Sequence, residues 1–160
     1  MGTPTAYAFV DLETTGGSAQ HDRITEIAII RVEGESVTRY QSLINPQQHI
    51  SPFIESITGI SNAMVDDAPE FAEVADEVWA WLQDCVFVAH NVRFDYGFLK
   101  QTFERVGKDF QPEQLCTVKL SRRLYPEHKH HGLDQLIDRH GLRMSQRHRA
   151  MADADAIYQF

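Results

Sequence analysis

The sequence predicts an α/β fold in which a mixed five-stranded sheet is flanked by helices. Three β-type segments open the chain, two shorter ones come later, and segments of helical periodicity separate them. The first segment, residues 7–12, is an apolar run that ends abruptly in charge, which is typical of a strand covered on both faces. With 160 residues and no visible repeat or linker, residues 1–160 are expected to form one domain.

The second and third strands are predicted at residues 24–32 and 37–44, which are rich in β-branched side chains. Glu33-Gly34 between them is typical of a hairpin turn. Two strands joined so tightly must run antiparallel. The stretch that follows contains Pro46 and Pro52 and is predicted to be irregular.

Helical periodicity begins at Pro69, because apolar residues then recur at i, i+3, i+4, i+7 and i+11 while acids occupy the other face. A strand at 86–89 and a helix at 92–106 are predicted next. A short fifth strand is predicted at 115–117, and helices at 117–124, 132–140 and 149–160 complete the chain.

The net charge of −8 argues against a nucleic-acid partner, since phosphate binding favours a basic surface. The charges are polarised, however. Eight of the 15 basic residues lie within residues 119–149 against three acids, whereas residues 66–84 hold seven acids and no base. A solvated face with chance clustering is the alternative. Within the basic segment, the candidates for phosphate binding are Lys119, Arg122, Arg123 and Arg147.

The sequence also disfavours several classes of protein. No apolar run reaches the roughly 20 residues that span a bilayer, and the first residues lack the features of an export signal. The lack of a membrane-spanning run predicts that the protein has no membrane partner. Cys85 and Cys116 form no CxxC pair, which predicts reduced thiols in a cytoplasmic protein. His128, His130 and His131 lack the spacing of a zinc site, so a flexible loop is expected there.

Asp11 and Glu13 stand two residues apart where the first strand ends. Residues i and i+2 of a strand point to the same face, so the two carboxylates converge. Their repulsion favours a divalent cation between them, and oxygen ligands favour Mg²⁺ or Mn²⁺ over zinc. The alternative is a strand that ends in a solvated acidic loop.

Asp95 lies shortly after the strand at 86–89, and the carboxyl ends of strands are where α/β proteins place ligands. Asn91 is expected to cap the following helix, which puts Asp95 one turn into it. Alternatively, Asp95 only complements the positive helix N-terminus.

Asp153 shares a helix face with Ile157 and Phe160, so it is expected to point inward. An acid on a core face needs a partner. That partner is either the carboxylate site, through a cation, or an arginine such as Arg147 or Arg149.

Taken together, these stretches resemble the three exonuclease motifs of the DEDDh family, which is typified by the proofreading epsilon subunit of bacterial DNA polymerase III. The resemblance implies a ribonuclease-H-like fold in which the second strand runs antiparallel to the others. The family's last helix usually continues beyond the position of Phe160, so we expect a piece of a longer chain. The stretches that match the three motifs are Asp11-Leu12-Glu13-Thr14-Thr15-Gly16, Ala89-His90-Asn91 with Phe94-Asp95, and His148-Arg149-Ala150 with Asp153-Ala154. Thr58-Gly59-Ile60-Ser61 also matches the family's segment that touches the terminal nucleotide.

The resemblance implies a 3′→5′ exonuclease that hydrolyses the terminal phosphodiester of single-stranded DNA with two divalent cations, Mg²⁺ or Mn²⁺, and releases nucleoside 5′-monophosphates. The implied cation ligands are Asp11, Glu13, Asp95 and Asp153, and the implied general base is His148. The expected substrate contacts are Leu12, Thr14, Thr15, Ile60, Asn91, His148 and Arg149. Of these, the Thr14 hydroxyl and backbone N–H groups near Thr15 are expected to hold the terminal 3′-OH, and Ile60 is expected to contact the last base.

The sequence leaves two alternatives to a DNA exonuclease open. The first is an RNA-directed enzyme of the same group, resembling ribonuclease T or oligoribonuclease, which shares the same chemistry. The second, of another class, is a non-catalytic nucleic-acid-binding or scaffold module. The expected partners are a nucleic-acid 3′ end and either a DNA polymerase or a fused nuclease or repair domain.

Overall fold

The computed structural model describes residues 5–144 and 149–160. The strands are β1 (Ala6–Thr14), β2 (Ile24–Glu33), β3 (Ser36–Leu43), β4 (Cys85–Ala89) and β5 (Glu113–Cys116). They form one sheet in the order β3-β2-β1-β4-β5. β2 is antiparallel to β1 and β3, whereas β4 is parallel to β1 and β5. The predicted mixed sheet, with its second strand antiparallel to the other four, is therefore confirmed.

The described residues contain seven helices: α1 (Pro52–Thr58), α2 (Asn62–Asp66), α3 (Phe71–Leu82), α4 (Val92–Arg105), α5 (Thr117–Leu124), α6 (Leu133–His140) and α7 (Ala150–Gln159). The last five lie where helices were predicted. Among the described helices, not one combines the length and the apolar character needed to cross a membrane.

Helices α1 and α2 occupy part of the stretch that was predicted to be irregular, so that prediction is wrong. Local capping explains both helices. The Ser51 hydroxyl accepts the Ile54 N–H at 3.2 Å, and Gly59 ends α1 in the left-handed region at φ 74°. Ser61 begins α2 in the same way, because its hydroxyl accepts the Met64 N–H at 3.2 Å.

Side-chain alternation along β1 divides its residues between two packed layers. Ala8, Val10 and Leu12 pack with α3 and α4 on one face of the sheet. Phe9 packs on the opposite face, beside α7. Because Asp11 and Glu13 continue the series of Phe9, the period of two directs both acids toward α7.

Candidate active site

A cluster of three carboxylates lies where the carboxyl-terminal part of β1 meets the first turn of α7. Asp11, Glu13 and Asp153 each offer an oxygen, and these oxygens all lie within 4.8 Å of one another. In residues 5–144 and 149–160 this is the only group of three or more side chains that could hold a metal ion. Glu13 and Asp153 are only 9% and 2% exposed, so solvent screens their mutual repulsion weakly. A hard divalent cation fits such an all-oxygen donor set.

Asp95 approaches the same place from the first turn of α4. Its side chain is buried, and Oδ1 accepts the backbone N–H of Leu12 at 3.2 Å. The last pair between β1 and β4 joins Phe9 to Val88, so β1 continues past its parallel neighbour before it reaches Leu12. Since Leu12 lies between the two acids of β1, this hydrogen bond holds Asp95 beside the carboxylate cluster.

The surroundings of Asp95 disfavour its charged form. Burial raises the pKa of the Asp95 carboxyl well above its usual range, and the nearby Cys116 thiol and Asp153 carboxylate act in the same direction. The Leu12 N–H acts in the opposite direction. Asp95 and the three-carboxylate cluster beside it therefore form a site that a positive charge stabilises.

Helix α7 is joined to the sheet by Glu26 of β2, a residue that the sequence analysis missed. The Glu26 carboxylate is fully buried and accepts hydrogen bonds from Arg149 Nε at 3.1 Å, Arg149 Nη2 at 2.7 Å and the Ala150 N–H at 2.8 Å. The first amides of a helix lack partners within it, so Glu26 of strand β2 caps the start of α7. We call the contacts of Glu26 with Arg149 and Ala150 the Glu26–Arg149 clamp. Asp153 lies one turn further along α7, and the clamp therefore sets where Asp153 meets Asp11.

The Glu26–Arg149 clamp also balances charge beside the cluster. Glu26 is paired with Glu13 in the β1–β2 register, and like charges placed opposite each other are unfavourable. Burial acts to raise the pKa of Glu26, but the hydrogen bonds from Arg149 and Ala150 lower it overall. The sequence did contain a signal, since Glu26 is the one acid in the apolar segment 24–32, and a buried acid needs a partner.

Arg149 therefore forms its ion pair with Glu26 instead of the alternative partner, Asp153. Its predicted contact with substrate stays a prediction, because the guanidinium is engaged in this structure. His148, the predicted general base, and Arg147 fall in residues 145–148, which lie outside the described residues.

The loop after β1 uses the donors that were expected to hold the terminal 3′-OH. The Thr14 hydroxyl donates to the Gly16 carbonyl at 2.6 Å, and the Thr15 hydroxyl donates to Gln48 Oε1 at 2.8 Å. The Thr15 N–H donates to the Arg23 carbonyl at 2.9 Å. These bonds shape the loop in this structure, and the contact with a 3′-OH stays a prediction.

Three other expected substrate contacts differ in exposure. The Leu12 side chain is buried in the main core, and Ile60 is fully buried with Ile50 and Val65. A base contact by Ile60 stays a prediction that requires this side chain to be uncovered. Asn91 is exposed and occupies the predicted N-cap position of α4 at φ 66°, but its side chain forms no capping hydrogen bond.

Histidines of the predicted flexible loop have defined structural partners. The ring nitrogens of the buried His131 bond to Ser121 Oγ at 2.7 Å and to the His128 carbonyl at 3.0 Å. The His90 ring links Thr117 Oγ1 and the His131 carbonyl, both at 2.7 Å. The expectation of a flexible loop is therefore wrong at His131, which connects the loop to α5.

The sheet order defines a ribonuclease-H-like fold, and its central strand ends in the acidic cluster. The profile of a family described as exonuclease (RNase_T) matches residues 8–160, and the chain belongs to this exonuclease family. The resemblance inferred from the three motifs is confirmed.

Two relatives illustrate the family. The 3′-5′ exonuclease DinG of Staphylococcus haemolyticus is 41% identical over 152 residues, and the PolC-type DNA polymerase III of Staphylococcus saprophyticus is 40% identical over 157 residues. The matches cover 94% and 96% of this chain but only 17% and 11% of those relatives. The chain thus corresponds to a small part of each relative.

Solved structures show the same fold. Exonuclease X in complex with 5′ overhanging duplex DNA has a TM-score of 0.76 at 28% identity, with 95% of this chain and 88% of that chain covered. Exonuclease I of E. coli, in complex with a dA16 oligonucleotide, has a TM-score of 0.85 at 23% identity, with 97% and 39% covered.

Proposed function

We propose that residues 1–160 form one exonuclease domain that removes nucleotides from the 3′ end of a DNA strand and releases nucleoside 5′-monophosphates. The meeting of Asp11, Glu13 and Asp153 within 4.8 Å, in a member of an exonuclease family, carries the proposal. The names of the relatives, a 3′-5′ exonuclease and a DNA polymerase III, support the direction and the choice of DNA.

The acidic residues suit two divalent cations, either Mg²⁺ or Mn²⁺. Asp11 would contact both ions, Glu13 and Asp153 would complete the first site, and Asp95 would support the second. Bound divalent cations neutralise charge on the phosphate and the leaving 3′-oxygen and make a nucleophile available at neutral pH. The donor set supports this choice, because carboxylate oxygens are the ligands that these hard ions prefer.

The chain's own residues position the reacting groups. His148 takes the proton of the attacking water, and an ordinary histidine pKa near 6.5 suits that task. The Glu26–Arg149 clamp fixes the start of α7 directly after His148. Asp95 holds the backbone of Leu12, which orients the two acids on either side of it.

The cellular setting is part of the same proposal. The PolC-type DNA polymerase III relative supports association with a DNA polymerase. The matches cover only 17% and 11% of the DinG and PolC-type relatives, which supports a place within a longer chain. A cytoplasmic location is supported by the two free cysteines, Cys85 and Cys116.

The test is degradation of a 5′-labelled DNA strand in the presence of Mn²⁺. We expect a ladder of progressively shorter labelled products, and we expect a chelator to stop its formation. Immediate release of a labelled mononucleotide would contradict the 3′→5′ direction. Faster loss of a ribo strand of the same sequence would assign the enzyme to RNA, and binding without shortening would favour the scaffold alternative.

Two substitutions on α7 give a matched comparison. Asp153→Asn is expected to abolish shortening, because it removes one ligand of the cluster. Asp155→Asn changes an acid two residues away that contacts Arg39 at 3.4 Å on an accessible surface, so it is expected to retain activity. Equal activity of the two variants would remove the cluster from the mechanism.

A further inference from the structure

A cavity of about 530 Å³ lies at the carboxyl ends of β4 and β5, where α4 and α5 begin. We call it the α4–α5 pocket. Its charged lining is Arg93 from the first turn of α4 and Lys119 and Arg122 from α5. Of the described residues that line it, none is acidic. All the charged side chains that line this pocket are therefore basic, although the net charge of the chain is −8.

Among the described residues, no acid forms an ion pair with the three basic side chains of the α4–α5 pocket. The ion pairs within residues 5–144 and 149–160 involve other basic residues and leave Arg93, Lys119 and Arg122 out. Lys119 and Arg122 are three residues apart on α5 and therefore share a helix face. Like charges around one cavity repel each other, and an anion between them removes that repulsion.

Backbone donors converge on the same pocket. Cys116 lines it. Burial acts to raise the pKa of the Cys116 thiol, but the backbone N–H groups of Lys119, Val92, Val118 and Asn91 together lower it. The first turns of α4 and α5 therefore present positive ends of peptide dipoles toward the cavity, in addition to the three cations.

The α4–α5 pocket flanks the carboxylate cluster. Cys116 acts electrostatically on Asp95, which in turn holds Leu12 beside the cluster. Arg93 and Asp95 belong to the same first turn of α4. A strand whose terminal linkage lies at the cluster therefore has a basic pocket next to its path.

We propose that the α4–α5 pocket binds an internucleotide phosphate of the substrate strand, upstream of the scissile linkage. This rests on the proposed function and adds where the strand leaves the acidic site. Of the four basic residues expected to bind phosphate, Lys119 and Arg122 line the pocket, Arg123 does not, and Arg147 lies outside the described residues. Arg93 also lines the pocket, although the charge pattern of the sequence did not suggest it as a phosphate-binding residue.

The test uses single DNA strands that each carry one neutral methylphosphonate linkage, at successive positions from the 3′ end. Binding is measured by fluorescence anisotropy and trimming by kcat/KM, for the whole chain and for Lys119→Ala/Arg122→Ala. For the unmodified strand we expect roughly tenfold weaker binding by the double variant. We also expect its salt slope to be smaller by about 0.7 for each phosphate that the double variant no longer binds.

The decisive result is a loss of additivity at one linkage. The methylphosphonate at that position should weaken binding by the unaltered chain but have no further effect on the double variant. Arg123→Ala removes one positive charge from a neighbouring position that does not line the pocket, and it should act equally at every linkage. If the double variant also acts equally at every linkage, the proposal is overturned.

Two outcomes separate this proposal from others. Competition by inorganic phosphate or a nucleoside monophosphate, without any linkage-specific effect, would assign the pocket to a free anion and overturn the strand assignment. An unaltered chain that shows the linkage-specific effect on binding but no trimming would support the pocket and contradict the exonuclease function.

Discussion

Replacing Glu26 by glutamine removes the negative charge that joins β2 to the start of α7 while leaving the shape of the side chain nearly unchanged. The interactions at risk are the contacts with Arg149 at 3.1 and 2.7 Å and the Ala150 hydrogen bond at 2.8 Å. We expect α7 to loosen at its first turn, where Asp153 enters the cluster. Both the free energy of unfolding and the rate of trimming should therefore fall.

The size of the effect follows from burial. Removing one partner of a buried ion pair costs about 3–5 kcal/mol. The Arg149 side chain keeps 24% exposure, so water replaces part of what it loses. We therefore expect Glu26→Gln to lower the free energy of unfolding by about 2–3 kcal/mol. For a chain of this size, this lowers Tm by roughly 4–12 °C.

The stabilisation should depend on pH. The folded-state pKa of Glu26 lies below its usual value of 4.5: burial would raise it, but Arg149 and Ala150 lower it overall. A lowered pKa contributes stability that is fully present above the unfolded-state value and is lost as pH falls through the folded-state value. Denaturant unfolding should thus show the full difference between the two proteins near neutral pH and a shrinking one below pH 4.5.

The matched control is Glu33→Gln on the same strand. Glu33 pairs with Arg31 at 3.7 Å and its side chain is 54% exposed, so its replacement should change stability by less than about 0.5 kcal/mol. Trimming is compared at a temperature where all variants are folded. A Glu26→Gln protein as stable and as active as the Glu33→Gln control would refute the clamp.

Three further predictions concern the site. Asp11→Asn should abolish trimming and the rise in Tm that Mn²⁺ produces in the unaltered chain; a thermal melt with and without chelator measures this. His148→Ala should lower turnover by roughly 10²–10⁴ while strand binding persists, and near-normal hydrolysis would exclude it as the general base. Gly16→Ala should destabilise the loop by about 1–3 kcal/mol, because an added Cβ would lie 2.7 Å from the Asp22 carboxyl carbon. Gly17→Ala is its control in the same melt, since a Cβ there meets nothing within 4 Å.

Features with a short sequence period were predicted well. The separation of Asp11 and Glu13 by two residues placed both on one face of β1, and helical spacing turned Asp153 inward; the structure brings all three together. Periodicity depends only on neighbours along the chain, so it is visible without a fold.

Features that depend on a choice of distant partner were missed. Glu26 and Arg149 are 123 positions apart, and no local pattern tells which arginine a buried acid will meet. The helices α1 and α2 were missed for a different reason. With 7 and 5 residues, they are too short for periodicity to show, and only their caps at Ser51 and Ser61 mark them.

The hydrogen bond from Leu12 to Asp95 has a consequence for inactive variants. Because β4 ends early, one side chain of α4 takes over an acceptor role that a neighbouring strand fills elsewhere in the ladder. Alanine at position 95 would remove a proposed cation ligand and would also leave the Leu12 main-chain N–H without its acceptor. Asparagine keeps an acceptor oxygen for the Leu12 N–H but loses the negative charge. Comparing the two replacements therefore separates the structural role of Asp95 as a hydrogen-bond acceptor from its proposed role in cation binding. Any redesign that relocates the acid has to give the strand a substitute acceptor.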